Sequence, residues 1–152
     1  MENSKNNTTN RAMHVSRLLN APIDLIWEVW TNPEHIANWW GPNGFTTTIQ
    51  TMDLKPEGEW RLTMYGPDGK TYLNRSTFVE IAPFKKIVFQ HYNPNYLATI
   101  TFEAKENKIL LDWTGVFETD ELYETVVKAF KADEGLIQNV DKLETYLKAQ
   151  IG

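Results

Sequence analysis

The side chains best suited to acid–base chemistry lie on two predicted strands in the second half of the chain. His91 lies in KIVFQHY (86–92) beside Tyr92, and an unperturbed histidine titrates near neutral pH. Asp112 in KILLDWTGVF (108–117) is a second candidate acid or base. No partner stands at a recognisable spacing from His91, and a strand histidine that faces solvent or is already hydrogen-bonded is the commoner arrangement.

Metal and phosphate chemistry find little support in the sequence. His14, His35 and His91 are scattered and there is no cysteine, so no histidine or thiolate metal site is predicted. GKT (69–71) matches the end of a phosphate-binding loop, but Met64 stands where the first glycine of that motif belongs. We therefore predict no metal ion and no cofactor.

Aromatic side chains offer a different kind of site. In PEHIANWWGP (33–42), Trp39 and Trp40 are adjacent, and neighbouring helix positions point about 100° apart, so the two indoles cannot fill the same core position. We expect one indole to be structural and the other to stand at the edge of a pocket, where a ring offers contact area and one polar group. Either indole fits either role.

Composition narrows the class of protein and of partner. The 152 residues, 41% of them hydrophobic, suit one packed domain, which we place at 12–152 behind a flexible polar tail at 1–11. A net charge of -5 disfavours nucleic acid and anionic membranes as partners. No apolar run approaches the roughly 20 residues of a membrane span. The polar start lacks the apolar core of a secretion signal, so we expect a cytoplasmic protein.

The predicted elements are mostly strands. Period-2 patterns and turn residues predict seven of them, at 12–20, 45–54, 59–65, 71–81, 86–92, 97–106 and 108–117. Two short helices follow the first strand, one over 22–30 and one capped by Asn32. A long helix is predicted from 121 to about 150, with a kink or close packing at Gly135.

This order of elements predicts an architecture. Short connections between successive strands indicate an antiparallel meander, and its apolar face needs a cover that the long C-terminal helix can supply. We therefore expect an α+β protein in which a curved antiparallel sheet wraps around that helix. The strand at 108–117 is apolar on both faces, so either the sheet is strongly curved or it encloses a cavity.

Several stretches also resemble a known family. They are APIDLIWEVWTNPEHIANWWGPNGF (21–45), DLKPEGEW (53–60), GPDGK with YLNR after it (66–75), VEIAPFKKIVF (79–89) and EGLIQNVDKLETYL (134–147). Together they resemble the START-like, helix-grip (SRPBCC) superfamily. Within it, they are most similar to homologues of the activator of the ninety-kilodalton heat-shock chaperone's ATPase, although that family often has Trp where this chain has Leu136. The resemblance covers about residues 13 to 150 and implies the helix-grip fold.

The resemblance also implies a function. It suggests a protein that holds a hydrophobic or aromatic small molecule, lipids included, in a cavity between sheet and helix. The residues expected to bind it are Trp39, Trp40, Trp60, Met64, Arg75, Phe89, His91, Trp113, Phe130 and Ile137. Arg75 suits either a ligand carboxylate or an acid on the sheet. Two alternatives stay open: a stress-response module that contacts a chaperone, and a polyketide-cyclase-like enzyme using His91 or Asp112. We expect binding without catalysis.

Overall fold

The computed structural model of the protein describes residues 11–129 and 131–151. The strands are β1 (Ala12–Leu19), β2 (Thr46–Met52), β3 (Glu59–Tyr65), β4 (Thr71–Ala82), β5 (Lys86–Tyr92), β6 (Tyr96–Lys105) and β7 (Lys108–Phe117). The helices are α1 (Ile23–Thr31), α2 (Pro33–Ile36), α3 (Asp120–Tyr123), a π-helical stretch (Glu124–Ala129) and α4 (Ala132–Ile151). Apart from Arg11, the predicted tail lies outside the described residues, as does Phe130.

The seven strands form one antiparallel sheet in the order β1-β7-β6-β5-β4-β3-β2. Strands β2 to β7 are a meander joined by short turns, as the sequence predicts. Because β1 and β2 lie at opposite edges, the segment containing α1 and α2 connects one edge of the sheet to the other. Register shifts between Ile49 and Thr51 and between Phe78 and Glu80 mark bulges, which bend strands and increase their twist. The predicted α+β helix-grip fold is confirmed.

The two short helices follow from local sequence. α1 buries Ile26, Val29 and Trp30 on one face, as the spacing of its apolar residues requires. The next helix begins where Asn32 accepts a hydrogen bond from the backbone N–H of Glu34, at 2.9 Å. Both helices therefore start at predicted positions.

The C-terminal helical region is broken, but not where the sequence suggests. The break lies at Lys131, whose φ of 55° is left-handed, whereas Gly135 lies inside α4. A Cβ at Gly135 would stand 3.4 Å from the Pro42 side chain, an ordinary contact distance, so the helix packs closely on Pro42 here without requiring a glycine. After the break, α4 buries a stripe at helical spacing, consisting of Leu136, Val140, Leu143 and Leu147. This stripe closes the core against the inner face of the sheet.

Candidate functional site

A pocket of about 490 Å³ lies between the sheet and the N-terminal half of α4. Its aromatic walls come from four places in the chain: Trp40 after α2, Trp60 on β3, Phe89 on β5 and Trp113 on β7. The ring centroid of Trp40 lies 5.0 Å from that of Trp60 and 5.3 Å from that of Trp113. The Trp60 and Phe89 centroids are 5.1 Å apart. The four rings therefore form one continuous aromatic surface.

The alternation of side chains along each strand decides which residues reach the pocket. Trp60 and Met64 share the inner face of β3, and Phe89 and His91 share that of β5. The structure thus brings six of the ten predicted site residues to the lining, namely Trp40, Trp60, Met64, Phe89, His91 and Trp113.

The adjacent tryptophans divide between the two expected roles. Trp39 is fully buried, and its indole Nε1 donates a hydrogen bond of 3.0 Å to the carbonyl of Val29. It also packs edge-on against Trp30, with the ring centroids 4.8 Å apart. Trp40 is 9% exposed and lines the pocket. The structural indole is therefore Trp39, and Trp40 is the one at the pocket.

Arg75 lies on the outer face of the sheet, away from the pocket. Its guanidinium stands 4.6 Å from the Tyr92 ring centroid and 3.9 Å from the Glu59 carboxylate. Its neighbours Asn74 and Ser76 point the other way and line the pocket. Of the two roles expected for Arg75, pairing with an acid is the one observed.

Ile137 is also misplaced by the sequence pattern. It is 46% exposed and points outward, while Leu136 beside it is buried and lines the pocket. The sequence analysis predicted one long helix from 121 to about 150, with Phe130 and Ile137 both expected to bind the ligand. The π-helical stretch and the left-handed Lys131 both precede Ile137 and change the phase of the helix, so the face extrapolated for Ile137 is wrong.

Asn74 and Ser76 are pocket residues that the sequence analysis missed. Phe78 on the same strand is 1% exposed and stacks on Trp60, with centroids 5.3 Å apart. Positions 74, 76 and 78 share one face because the strand period is 2. Alternation from the apolar Phe78 was therefore the signal that could have found them.

His91 is a buried histidine whose two ring nitrogens both have partners. Nδ1 lies 2.8 Å from the carbonyl of Pro94, and Nε2 lies 2.8 Å from Oδ1 of Asn74. The ring stacks on Tyr96 at a centroid distance of 4.5 Å. Burial lowers the pKa of His91, and the hydrogen bond to Pro94 opposes this in part. The ring is therefore neutral near pH 7 and carries one N–H. Because Nδ1–H donates to the Pro94 carbonyl, Nε2 accepts, and the NH₂ group of the Asn74 amide is the donor that suits it.

A set of hydrogen bonds from α4 holds the segment that carries Trp40. The side chain of Asn139 donates to the carbonyl of Trp39 at 2.7 Å and accepts from the N–H of Gly41 at 3.0 Å. Lys142 Nζ donates to the carbonyl of Phe45 at 3.2 Å, and burial lowers its pKa. These contacts fix one wall of the pocket to the helix. No sequence signal indicated that Asn139 and Lys142, two polar residues within a helix, hold the pocket wall.

The structure also bears on metal binding and on Asp112 as an acid or base. Within residues 11–129 and 131–151, no group of three His, Asp or Glu side chains is placed to hold a metal ion. Asp112 pairs with His14, and both are partly exposed on the face of the sheet opposite Trp113. Asp112 therefore does not reach the pocket. No helix in the described part of the chain is long and apolar enough to cross a membrane.

A curved antiparallel sheet around a C-terminal helix defines the START-like, helix-grip class of proteins, and solved structures share it. A protein of Nitrosomonas europaea is 21% identical over 93% of this chain and 96% of its own, with a TM-score of 0.85. A protein of Arthrobacter aurescens is 20% identical over 93% and 88%, with a TM-score of 0.86. An AHSA1-like protein of Aeromonas hydrophila is 18% identical over 91% and 93%, with a TM-score of 0.74.

The family follows from the sequence match. The family model described as activator of Hsp90 ATPase homolog 1-like protein matches residues 20–148, and the chain belongs to this family. This confirms the resemblance seen in the sequence. None of the curated proteins matches the chain.

Proposed function

We propose that this protein binds a hydrophobic or aromatic small molecule between its sheet and α4. The observation that carries the proposal is the pocket, whose volume of about 490 Å³ falls in the range of small-molecule sites. Trp40, Trp60, Phe89 and Trp113 supply large apolar surfaces on which a flat ring system can stack. A lipid chain fits the same walls, so lipids belong to the proposed range.

We propose that the protein binds its ligand without catalysing a reaction. General acid–base catalysis needs a group within hydrogen-bond reach of the substrate and free to exchange a proton. His91 is engaged with Pro94 and Asn74, and Asp112 faces the opposite side of the sheet. These placements favour a binding protein over a cyclase-like enzyme. We propose the cytoplasm as its location.

Contact with a chaperone is the second candidate function, favoured by the family to which the chain belongs. The outer face of β4 presents Leu73 and Val79, which are 83% and 50% exposed. Exposed apolar residues of this kind can contribute to a protein contact. A stable complex with a purified chaperone that Leu73→Ser abolishes would support this candidate.

The test of the binding proposal is an amide chemical-shift titration of the labelled protein with lipids, flavonoids and aromatic acids. We expect saturable shifts at the indole N–H groups of Trp40, Trp60 and Trp113 and at residues 132–139. Shifts scattered over the outer face, or no shift in a well-folded sample, would refute an interior site.

Two variants of adjacent residues on β3 provide the matched control. Met64→Trp fills part of the pocket and should weaken binding at least tenfold. Tyr65→Trp places the same ring on the outer face, where Tyr65 is 40% exposed, and should leave binding unchanged. Equal effects of the two substitutions would count against the pocket as the binding site.

A further inference from the structure

The charged side chains on the described pocket lining lie at its rim. They are Lys131 and Glu134, both exposed at the start of α4. The other titratable groups on the lining are His91 and Tyr96. Burial lowers the pKa of His91 and raises that of Tyr96, so both are neutral near pH 7. The deep part of the lining therefore offers hydrogen bonds without a charge to face an ionised ligand.

Three polar side chains of the lining lie next to one another, and Asn74, Ser76 and His91 are called the polar wall here. Ser76 lies directly across the β4–β5 ladder from His91 and directly across the β3–β4 ladder from Trp60. It is 4% exposed, and its hydroxyl can both donate and accept. The polar wall thus stands next to the aromatic surface.

Arg75 does not supply a positive charge to the pocket. It lies in sequence between Asn74 and Ser76, yet its guanidinium is on the outer face near Glu59 and Tyr92. The strand therefore presents its neutral side chains to the pocket and its cation to the opposite face. A carboxylate inside the pocket would lose its water without gaining this arginine as a partner.

From this arrangement we infer that the pocket selects an uncharged aromatic ligand with one hydrogen-bonding group, such as a hydroxyl, placed against the polar wall. The corresponding carboxylate is bound more weakly, because on the described lining the one cation, Lys131, stands at the rim and not in the deep part. A hydroxyl loses less hydration on entry and exchanges its hydrogen bonds to water for a hydrogen bond with the Ser76 hydroxyl. This inference rests on the proposed function and specifies the class of ligand for that same pocket.

The test compares three probes of one ring size: 2-naphthol, 2-naphthoate and naphthalene. Dissociation constants are measured by amide chemical-shift titration near pH 7.5, where His91 is neutral. We expect 2-naphthol to bind at least tenfold more tightly than 2-naphthoate, with shifts at Ser76 and His91. Naphthalene, which has no hydrogen-bonding group, should bind more weakly than 2-naphthol.

Substitutions separate the effect of charge from that of shape. Met64→Lys adds an ammonium group to the lining and should raise the affinity for 2-naphthoate at least tenfold. Tyr65→Lys adds the same charge on the outer face of the same strand and should change neither affinity. Ser76→Ala should weaken 2-naphthol binding several-fold and leave naphthalene binding unchanged.

The outcomes distinguish failure of the inference from failure of the proposed function. If 2-naphthoate binds wild-type protein as tightly as 2-naphthol, the inference is wrong while the pocket remains a binding site. A Met64→Lys protein that folds and gains no affinity for 2-naphthoate overturns the electrostatic cause in the same way. If none of the three probes binds the folded protein, both the inference and an aromatic ligand for the pocket are refuted.

Discussion

At the scale of single residues, Trp39 completes the end of a helix as well as filling the core. The carbonyl of Val29 is one of the last in α1, and the residue four positions later, Pro33, has no N–H to donate to it. The indole Nε1 of Trp39 supplies the missing donor at 3.0 Å. Trp40 instead gives its ring to the pocket lining. Adjacent identical side chains thus have different functions.

Substitution by phenylalanine should separate these two roles. Trp39→Phe removes the donor from the buried Val29 carbonyl and part of a fully buried ring, and should lower the free energy of unfolding by about 1–3 kcal/mol. Trp40→Phe should cost less stability, because Trp40 borders a pocket, but should weaken 2-naphthol binding more. Urea denaturation and titration of both variants check this. The opposite ranking would show that the roles are reversed.

Burial of His91 predicts a dependence of stability on pH. Its folded pKa lies below its usual value of about 6.5, so the unfolded chain binds the proton more readily. Its contribution to stability is therefore constant above about pH 6.5 and is lost as the pH falls towards the folded pKa. The measurement is the free energy of unfolding of wild type and His91→Gln at several pH values. The advantage of wild type should shrink on acidification.

Every residue other than 91 is the same in both proteins of that comparison, so effects that do not involve residue 91 cancel in the difference. Asn74 and Tyr96, which contact the His91 ring, are likewise unchanged. A difference in stability that stays constant between about pH 7.5 and pH 5.5, or that grows on acidification, would contradict a lowered pKa for His91.

At the scale of elements, α4 positions the pocket wall through Asn139. Its side chain satisfies the Trp39 carbonyl and the Gly41 N–H, and Asn139 itself is 6% exposed. Asn139→Ala leaves both backbone groups without these partners and should cost about 2–4 kcal/mol. Gln138→Ala is the matched control, because Gln138 accepts from the exposed N–H of Asn43 and its loss should cost about 0.5 kcal/mol. Chemical denaturation measures the loss of stability in both variants. Equal losses would refute the role of Asn139 in holding the pocket wall.

Gly135 gives a prediction of the opposite sign within the same helix. It lies inside α4, where glycine is about 1 kcal/mol less favourable than alanine. An added Cβ would meet Pro42 at 3.4 Å, an ordinary contact distance. Gly135→Ala should therefore raise the free energy of unfolding by about 0.5–1 kcal/mol. A clear loss of stability in thermal and urea unfolding would show that Pro42 cannot accept the methyl group.

At the scale of the whole molecule, local signals predicted the fold better than they predicted the site. Period-2 patterns and turn residues placed the strands because each strand was bounded by its own sequence. The prediction that Ile137 faces inward was wrong, because the change of helix phase at Lys131 depends on how the helix packs. The prediction that Arg75 lines the pocket was wrong, because the sequence does not determine which face of β4 it occupies. A shift of one residue exchanges the two faces. Asn139 was missed because its partners lie about 100 residues away in the chain.

The pocket also makes a prediction about the molecule as one cooperative unit. Its lining extends from Met13 on β1, near the start of the chain, to Asn139 on α4, near its end. A bound ligand therefore lies against both the sheet and the C-terminal helix. A ligand that binds only the folded state stabilises it by mass action, by about 2.7 kcal/mol at a concentration of 100 times its dissociation constant. For 2-naphthol we expect this gain in urea unfolding, with slower amide exchange in both the sheet and α4. The Met64→Trp protein, which binds at least tenfold more weakly, should gain at most about 1.4 kcal/mol at the same concentration. Tyr65→Trp should show both effects in full. Slower exchange confined to residues near the probe, without a gain in global stability, would mean that the pocket opens independently of the core.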